Sequence, residues 1–260
     1  MRNLLAYILI CIGLCLTSCE KDTTPVTSLP PEGTLANYIL QNNNLELSDE
    51  LIACAAGGQS TIWDDADFPV SVLFYPVEGA TNFRYFETDD LNVDADDYTA
   101  YKEKSLSEAP IFNGYLRRFL REPLTNEALG IVVYNTPGKL HLSNVIRIKF
   151  SEKPTQFAPE LCQVDLSNPT EPRFQWQEGL IPENVIYFHV ISDESGSLIS
   201  GTYTFDQFFR FYDLSNVVLN IRDITPPPTL QPNTKYTFTM LGVSRDNWVN
   251  LIIEKEFTTE

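Results

Sequence analysis

The chain reads as an all-β protein built from two β-sandwiches in series, and three observations carry that reading. Beyond Asp49 the apolar residues fall in short runs, many alternating with polar ones, and no segment sustains a 3.6-residue period. Gly, Pro, Asn and Asp interrupt the runs at close intervals, as expected of many short strands joined by turns. The runs divide into two sets of about 100 residues each, the size of one sandwich domain. Residues 151–159, with two prolines and a polar composition, part the sets as a hinge.

The chain begins with a different kind of segment. Met1-Arg2-Asn3 carries one positive charge, and residues 4–16 are an apolar run of 13. A basic start followed by a short apolar core is a secretory signal peptide. The run is too short for a bilayer, which needs about 20 apolar residues. It closes on Leu16-Thr17-Ser18-Cys19, which resembles the lipobox of bacterial lipoproteins. The resemblance implies that residues 1–18 are removed and that acyl chains on Cys19 hold the protein to a membrane, at ~0.8 kcal/mol per buried CH₂. Glu20-Lys21-Asp22 resembles the start of surface lipoproteins of the Bacteroidetes type, which implies an outer-membrane anchor with the protein displayed outward; a periplasm-facing anchor is the alternative. Residues 19–48 are then the lipidated Cys and a tether rich in Thr, Ser and Pro, within which Thr34 can cap a short helix at residues 35–40.

Charge excludes one class of partner. The full chain has 18 Lys and Arg against 35 Asp and Glu, a formal charge of −17, and loss of Arg2 makes the mature chain −18. Such a surface repels phosphate backbones, so nucleic acid is not a partner. Of the 5 cysteines, Cys11 and Cys15 leave with the signal peptide and Cys19 takes the lipid. Cys54 and Cys162 fall in different sets of strands and read as two buried, unpaired thiols. With His141 and His189 they give no zinc spacing.

The first sandwich, residues 49–150, takes its strands from 50–55, 70–75, 82–87, 98–104, 112–120, 129–134 and 140–150; the stretch 112–120 also fits a short helix. The second, residues 160–260, takes them from 161–165, 173–177, 185–193, 198–205, 217–221, 235–245 and 248–258. Pro232-Asn233 turns the chain ahead of Thr234-Lys235-Tyr236-Thr237-Phe238. This run resembles the approach to strand F of fibronectin type III domains. The resemblance implies an immunoglobulin-like sandwich in which the Tyr236 ring is buried and its hydroxyl meets nearby backbone, with Trp176 filling the space between sheets. Phe74 to Gly79 followed by Phe83 to Phe86 parallels Phe174 to Gly179 followed by Ile186 to Phe188, so the first set reads as an older copy of the same module.

Chemistry is scarce. There is no Gly-x-Ser-x-Gly, no Cys placed beside a His and no phosphate-cradling glycine loop, so no catalytic residue or cofactor is assigned. Asp94, Asp96 and Asp97 form an acidic cluster weakly suited to Ca²⁺, without EF-hand spacing or its central glycine. Trp63, Trp248, Phe208, Phe209 and Tyr212 are the candidate aromatic platform for a sugar ring, set against their ordinary use as core. Tyr115-Leu-Arg117-Arg118-Phe-Leu-Arg121 is the one basic concentration, facing either an acidic partner or the chain's own carboxylates. Two functions follow. The first is a non-enzymatic module that binds a glycan or an envelope or host protein. The alternative is a hydrolase or accessory subunit working with paired carboxylates.

Cys19→Ala is expected to abolish lipidation. Cells fed a fatty-acid analogue should label the wild type and leave the variant unlabelled; equal label on both would refute the lipobox.

Overall fold

Alternation and turn chemistry place the strands. In the computed structural model, which describes residues 29–58, 70–150, 155–211 and 228–260, the chain is all-β apart from short helical turns. The Cys19 junction and the strand expected at 217–221 lie outside the described residues.

Thr34 caps α1 (Leu35–Gln41), accepting a hydrogen bond from the Asn37 N–H at 3.3 Å. Leu35 is fully buried beside Phe86, Tyr101 and Ile131. The last part of the expected tether is therefore built into the first sandwich; a seven-residue helix with one anchoring side chain leaves little periodicity to read.

The first half contains β1 (Glu46–Leu51), β2 (Ala53–Gly57), β3 (Val70–Phe74), β4 (Thr81–Glu87), β5 (Lys102–Lys104), β6 (Glu108–Ile111), β7 (Leu116–Arg121), β8 (Ala128–Thr136), β9 (Lys139–Ser143) and β10 (Ile146–Ile148). One sheet runs β1-β9-β8-β4-β5 with β10 against β8. It faces β2-β3-β7-β6 across a core that includes Val72, Phe74, Tyr85, Phe119, Val132 and Tyr134. Two long runs split. The stretch 50–55 divides between β1 and β2. The stretch 140–150 breaks at Asn144, whose side chain leaves the ladder to bond the Ala53 backbone, accepting from its N–H at 3.2 Å and donating to its carbonyl at 2.9 Å. Residues 112–114 form a single tight helical turn ahead of β7, so the ambiguous stretch holds both forms.

The second half contains β11 (Gln156–Phe157), β12 (Cys162–Asp165), β13 (Arg173–Trp176), β14 (Asn184–Asp193), β15 (Leu198–Thr204), β16 (Phe208–Arg210), β17 (Lys235–Ser244) and β18 (Trp248–Thr258). Here β12-β13-β16 faces β15-β14-β17-β18 across Phe174, Trp176, Phe209, Phe238 and Met240. Strands β12 to β18 divide three and four between facing sheets, as in an immunoglobulin-like sandwich. The first half repeats this order: β2-β3-β7 matches β12-β13-β16, and β5-β4-β8-β9 matches β15-β14-β17-β18.

The halves share a sheet. β18 runs parallel to β2, with Trp248 opposite Ala55 and Val249 opposite Ala56, and this joins the two strand sets into one nine-stranded sheet. Within the segment expected as a hinge, residues 155–157 are held by both halves. The Thr155 N–H donates to the Gly57 carbonyl at 2.9 Å, its hydroxyl donates to the Val249 carbonyl at 2.6 Å, and β11 pairs with β18. Cys54 and Cys162 are free thiols, and desolvation pushes them up to about 12 and about 11.

The corner before β17 forms as the motif implies. Asn233 turns the chain at φ 52°, Tyr236 is buried, and the Gln231 N–H donates to its hydroxyl oxygen at 2.9 Å. Tyr236→Phe orphans that N–H and is expected to cost about 1–3 kcal/mol. Tyr236→Ala adds a cavity and should cost ~3–5 kcal/mol. Denaturant unfolding of the whole chain measures both, and wild-type stability in each would remove the corner from the structure's supports.

Candidate functional site between the sandwiches

On β17 and β18 the side chains alternate between two destinations. Tyr236, Phe238, Met240, Leu251 and Ile253 point into the second core. Leu241, Val243 and Ile252 point the other way and pack against Leu73, Ile111 and Leu116 of the first half. The outer faces of the two sandwiches therefore meet, and the shared sheet bends between them. Toward the far end of β17 and β18 the same outer face turns polar, with Thr237 and Thr239 opposite Glu256 and Glu254.

There the sandwiches diverge around a cleft of about 710 Å³. One wall carries Lys235, Thr237, Thr239, Glu254 and Glu256; the other carries Arg118 and the turn at 110–113. The Asn113 amide donates to the Ser197 hydroxyl at 2.9 Å and ties the two edges at the rim. Just inside the apolar contact, Tyr115 lies so near β15 that a Cβ on Gly201 would meet it at 3.4 Å, so a glycine lets the edges close.

The cleft has unequal groups. Lys235 Nζ lies 2.6 Å from a Glu256 carboxylate oxygen, and Arg118 donates to the Ser71 hydroxyl at 3.1 Å. Asp193 is occupied with its own turn, accepting from the Ser195 and Ser197 N–H groups at 2.9 and 3.0 Å and from the Ser195 hydroxyl at 2.6 Å, and the Ser195 bond in particular lowers its pKa. Glu254 differs: burial first, then the neighbouring Glu256 charge, raise its pKa above the usual carboxylate range. Thr239 is 1% exposed and its hydroxyl has no hydrogen-bond partner among the described residues. Buried polar atoms are normally satisfied, so an orphan lining a cleft marks a place where a ligand atom fits.

The residues singled out from sequence go elsewhere. Trp248 and Phe209 are 1% exposed and belong to the first and second cores. Phe208 is half-buried under the Arg173 guanidinium, 5.2 Å from its ring centre. Trp63 and Tyr212 lie outside the described residues. Trp248 and Phe209 are thus packing, and Phe208, next to Phe209 on β16, alternates to the other face and carries the Arg173 guanidinium. Asp94 and Asp97 cap turns, accepting from the Asp96 and Thr99 N–H groups at 3.0 Å each. Among the described residues no three acidic, His or Cys side chains converge as a metal site, and Asp94, Asp96 and Asp97 do not form one. His141 bonds Thr136 at 2.9 Å. His189 is buried against Phe209, 4.1 Å between ring centres, and desolvation lowers it to about 3. In the basic run, Arg117 pairs with Glu108, and Arg121 pairs with the buried Glu87 at 3.1 Å.

Neither a family model nor a curated protein matches the chain. Among solved structures it is similar to the receptor tyrosine kinase Torso, described for its perception of a neurohormone, at 10% identity over 89% of this chain and 92% of that one, with a TM-score of 0.28. It is also similar to the glycoside hydrolase domain of Spr0440, Endo-D from Streptococcus pneumoniae R6, at 11% identity over 80% of this chain and 33% of that one, with a TM-score of 0.29. Likenesses this remote carry nothing about activity.

Of these cleft residues, Arg118 alone was singled out in the sequence, within the basic run; Thr237, Thr239, Glu254 and Glu256 were not. Their signal lay in β17 and β18, where the outward positions change from Thr and Glu to Leu, Val and Ile partway along. Thr239→Val removes the orphan hydroxyl and keeps the branched shape. It is expected to raise stability by about 1 kcal/mol, since an unsatisfied buried polar group costs ~1–3 kcal/mol. Denaturant unfolding measures this; a loss of stability would mean that the hydroxyl has a partner.

Proposed function

We propose that the chain is a lipid-anchored, outward-facing lipoprotein of the outer membrane that binds a glycan, without catalysis, in the cleft between its two sandwiches. The signal peptide and Cys19 motif support the anchor. No helix among the described residues is long and apolar enough to cross a membrane. The observation that carries the binding role is the cleft of about 710 Å³ with an orphaned hydroxyl in its wall. That volume lies in the range of small-ligand sites, which favour domain interfaces. A concave polar trough suits a chain of hydroxyls better than the flat face of a protein partner.

The paired-carboxylate alternative is less well supported. Glu254 and Glu256 are two residues apart on one strand, so both stand on the same wall, about 6.7 Å apart at the backbone. A glycosidase needs its two acids on either side of the scissile bond.

Thr237→Trp would fill the cleft without touching either core. The full chain, purified in mild detergent, is screened on an array of bacterial-envelope and host glycans. The wild type is expected to retain at least one glycan class and the variant to lose it at least about tenfold, with an unchanged circular dichroism spectrum. Equal binding by the variant, or no binding by the wild type, would overturn the proposal.

A further inference from the structure

Three features of the cleft point to the charge of its ligand, on the reading that the cleft is the binding site. First, Thr239 and Glu254 are direct cross-strand neighbours on the outer face, so their side chains reach one spot together. Second, the Thr239 hydroxyl is 1% exposed, lines the cleft and has no partner. Third, Lys235 is ion-paired with Glu256 within the cleft, and Arg118 donates to Ser71, a neutral partner.

Glu254 is therefore a half-buried carboxylate with no salt bridge among the described residues, next to an orphan hydroxyl and close to a second acid. An anionic ligand would meet the Glu254 carboxylate, with Glu256 already paired to Lys235, and is disfavoured. A neutral ligand would displace water and leave the Glu254 charge uncompensated, which is costly. A cation relieves both the burial and the repulsion from Glu256, the causes that raise the pKa of Glu254.

We infer that the cleft selects glycans bearing protonated primary amines, with Glu254 receiving the ammonium group and Thr239 the hydroxyl on the neighbouring carbon. An amino sugar presents both groups side by side. A lysine side chain presents the ammonium alone, so a cationic peptide fits half of the site.

Calorimetry on the full chain in mild detergent tests this with three probes: a glucosamine oligosaccharide, the fully N-acetylated oligosaccharide of the same length, and an oligolysine of matching charge. The glucosamine oligomer is expected to bind at least about tenfold more tightly than either other probe. Glu254→Gln should erase its advantage over the acetylated oligomer while the protein unfolds normally. Thr239→Val should weaken the glucosamine oligomer and leave oligolysine unchanged. Equal or tighter binding of the acetylated oligomer, oligolysine matching the amino sugar, or an unchanged Glu254→Gln variant would each overturn the inference. If neutral glycans bind and Thr237→Trp abolishes them, the cleft remains the binding site and only the amine selectivity fails. If no glycan of any charge binds, both readings fall.

Discussion

The pairing of β18 with β2 sets the form of the molecule. It spans only two residue pairs, Trp248 with Ala55 and Val249 with Ala56, but it is fastened on every side. The Ala55 N–H donates to the Asn247 carbonyl at 2.9 Å. The turn leading into β18 is held to the first half by the Asn247 amide on the Val145 carbonyl at 2.8 Å and by Lys149 on Asp246 at 2.8 Å. The Trp248 ring then fills part of the first core, although its strand belongs to the second sandwich. Two sandwiches in series would each expose sheet edges; here one edge of each covers the other, and a template for aggregation is removed.

From this junction the bend of the shared sheet follows. Leu241, Val243 and Ile252 have no place in the second core, because alternation sends them outward, and the register shift between Gly242 and Val243 turns Val249 the same way. They find cover only where the first half brings Leu73, Ile111 and Leu116 against them. Burying such side chains is worth about 1.5–3 kcal/mol each as an upper bound, which makes the contact between sandwiches a third core and not a loose interface. β11 takes over the edge of β18 at Leu251 and Ile252, so β18 extends past the end of β2. Its last outward residues, Glu254 and Glu256, then stand over open space. The cleft is the part of the outer surface that this third core does not reach.

Much of the fold was legible because it is local. β18 runs over the same residues as the alternating stretch, 248–258, and the Pro232-Asn233 turn with Tyr236 announced the corner through residues that meet within a short loop. The pairing of two halves was invisible for the opposite reason. Ala55 and Trp248 are far apart in sequence, and nothing in either strand states which edge it will join. Trp248 beside a turn reads equally well as an exposed sugar platform and as a plug for a neighbouring domain. The same limit hid the cleft: Thr237, Thr239, Glu254 and Glu256 are ordinary outward residues of an exposed strand until another surface closes over them. Cys54 and Cys162 were readable as unpaired thiols because they fall in different sets of strands, and both are free.

On the proposal that the cleft is a binding site, its walls bear on how a ligand would be held. Both walls belong to one hydrogen-bonded sheet, and the rim is bridged by Asn113 and Ser197. Opening or closing the cleft would mean breaking strand pairs or parting the apolar contact beneath it, so its width is fixed before a ligand arrives. A fixed site loses little conformational freedom on binding, and weak polar contacts then suffice for measurable affinity. A rigid site also cannot adapt to a poor ligand. Discrimination must come from the few groups that a ligand leaves unsatisfied, and in this cleft those are the Thr239 hydroxyl and the Glu254 carboxylate. Leaving them without protein partners lowers the stability of the empty protein, and the tightly paired strands around them are what make that loss tolerable.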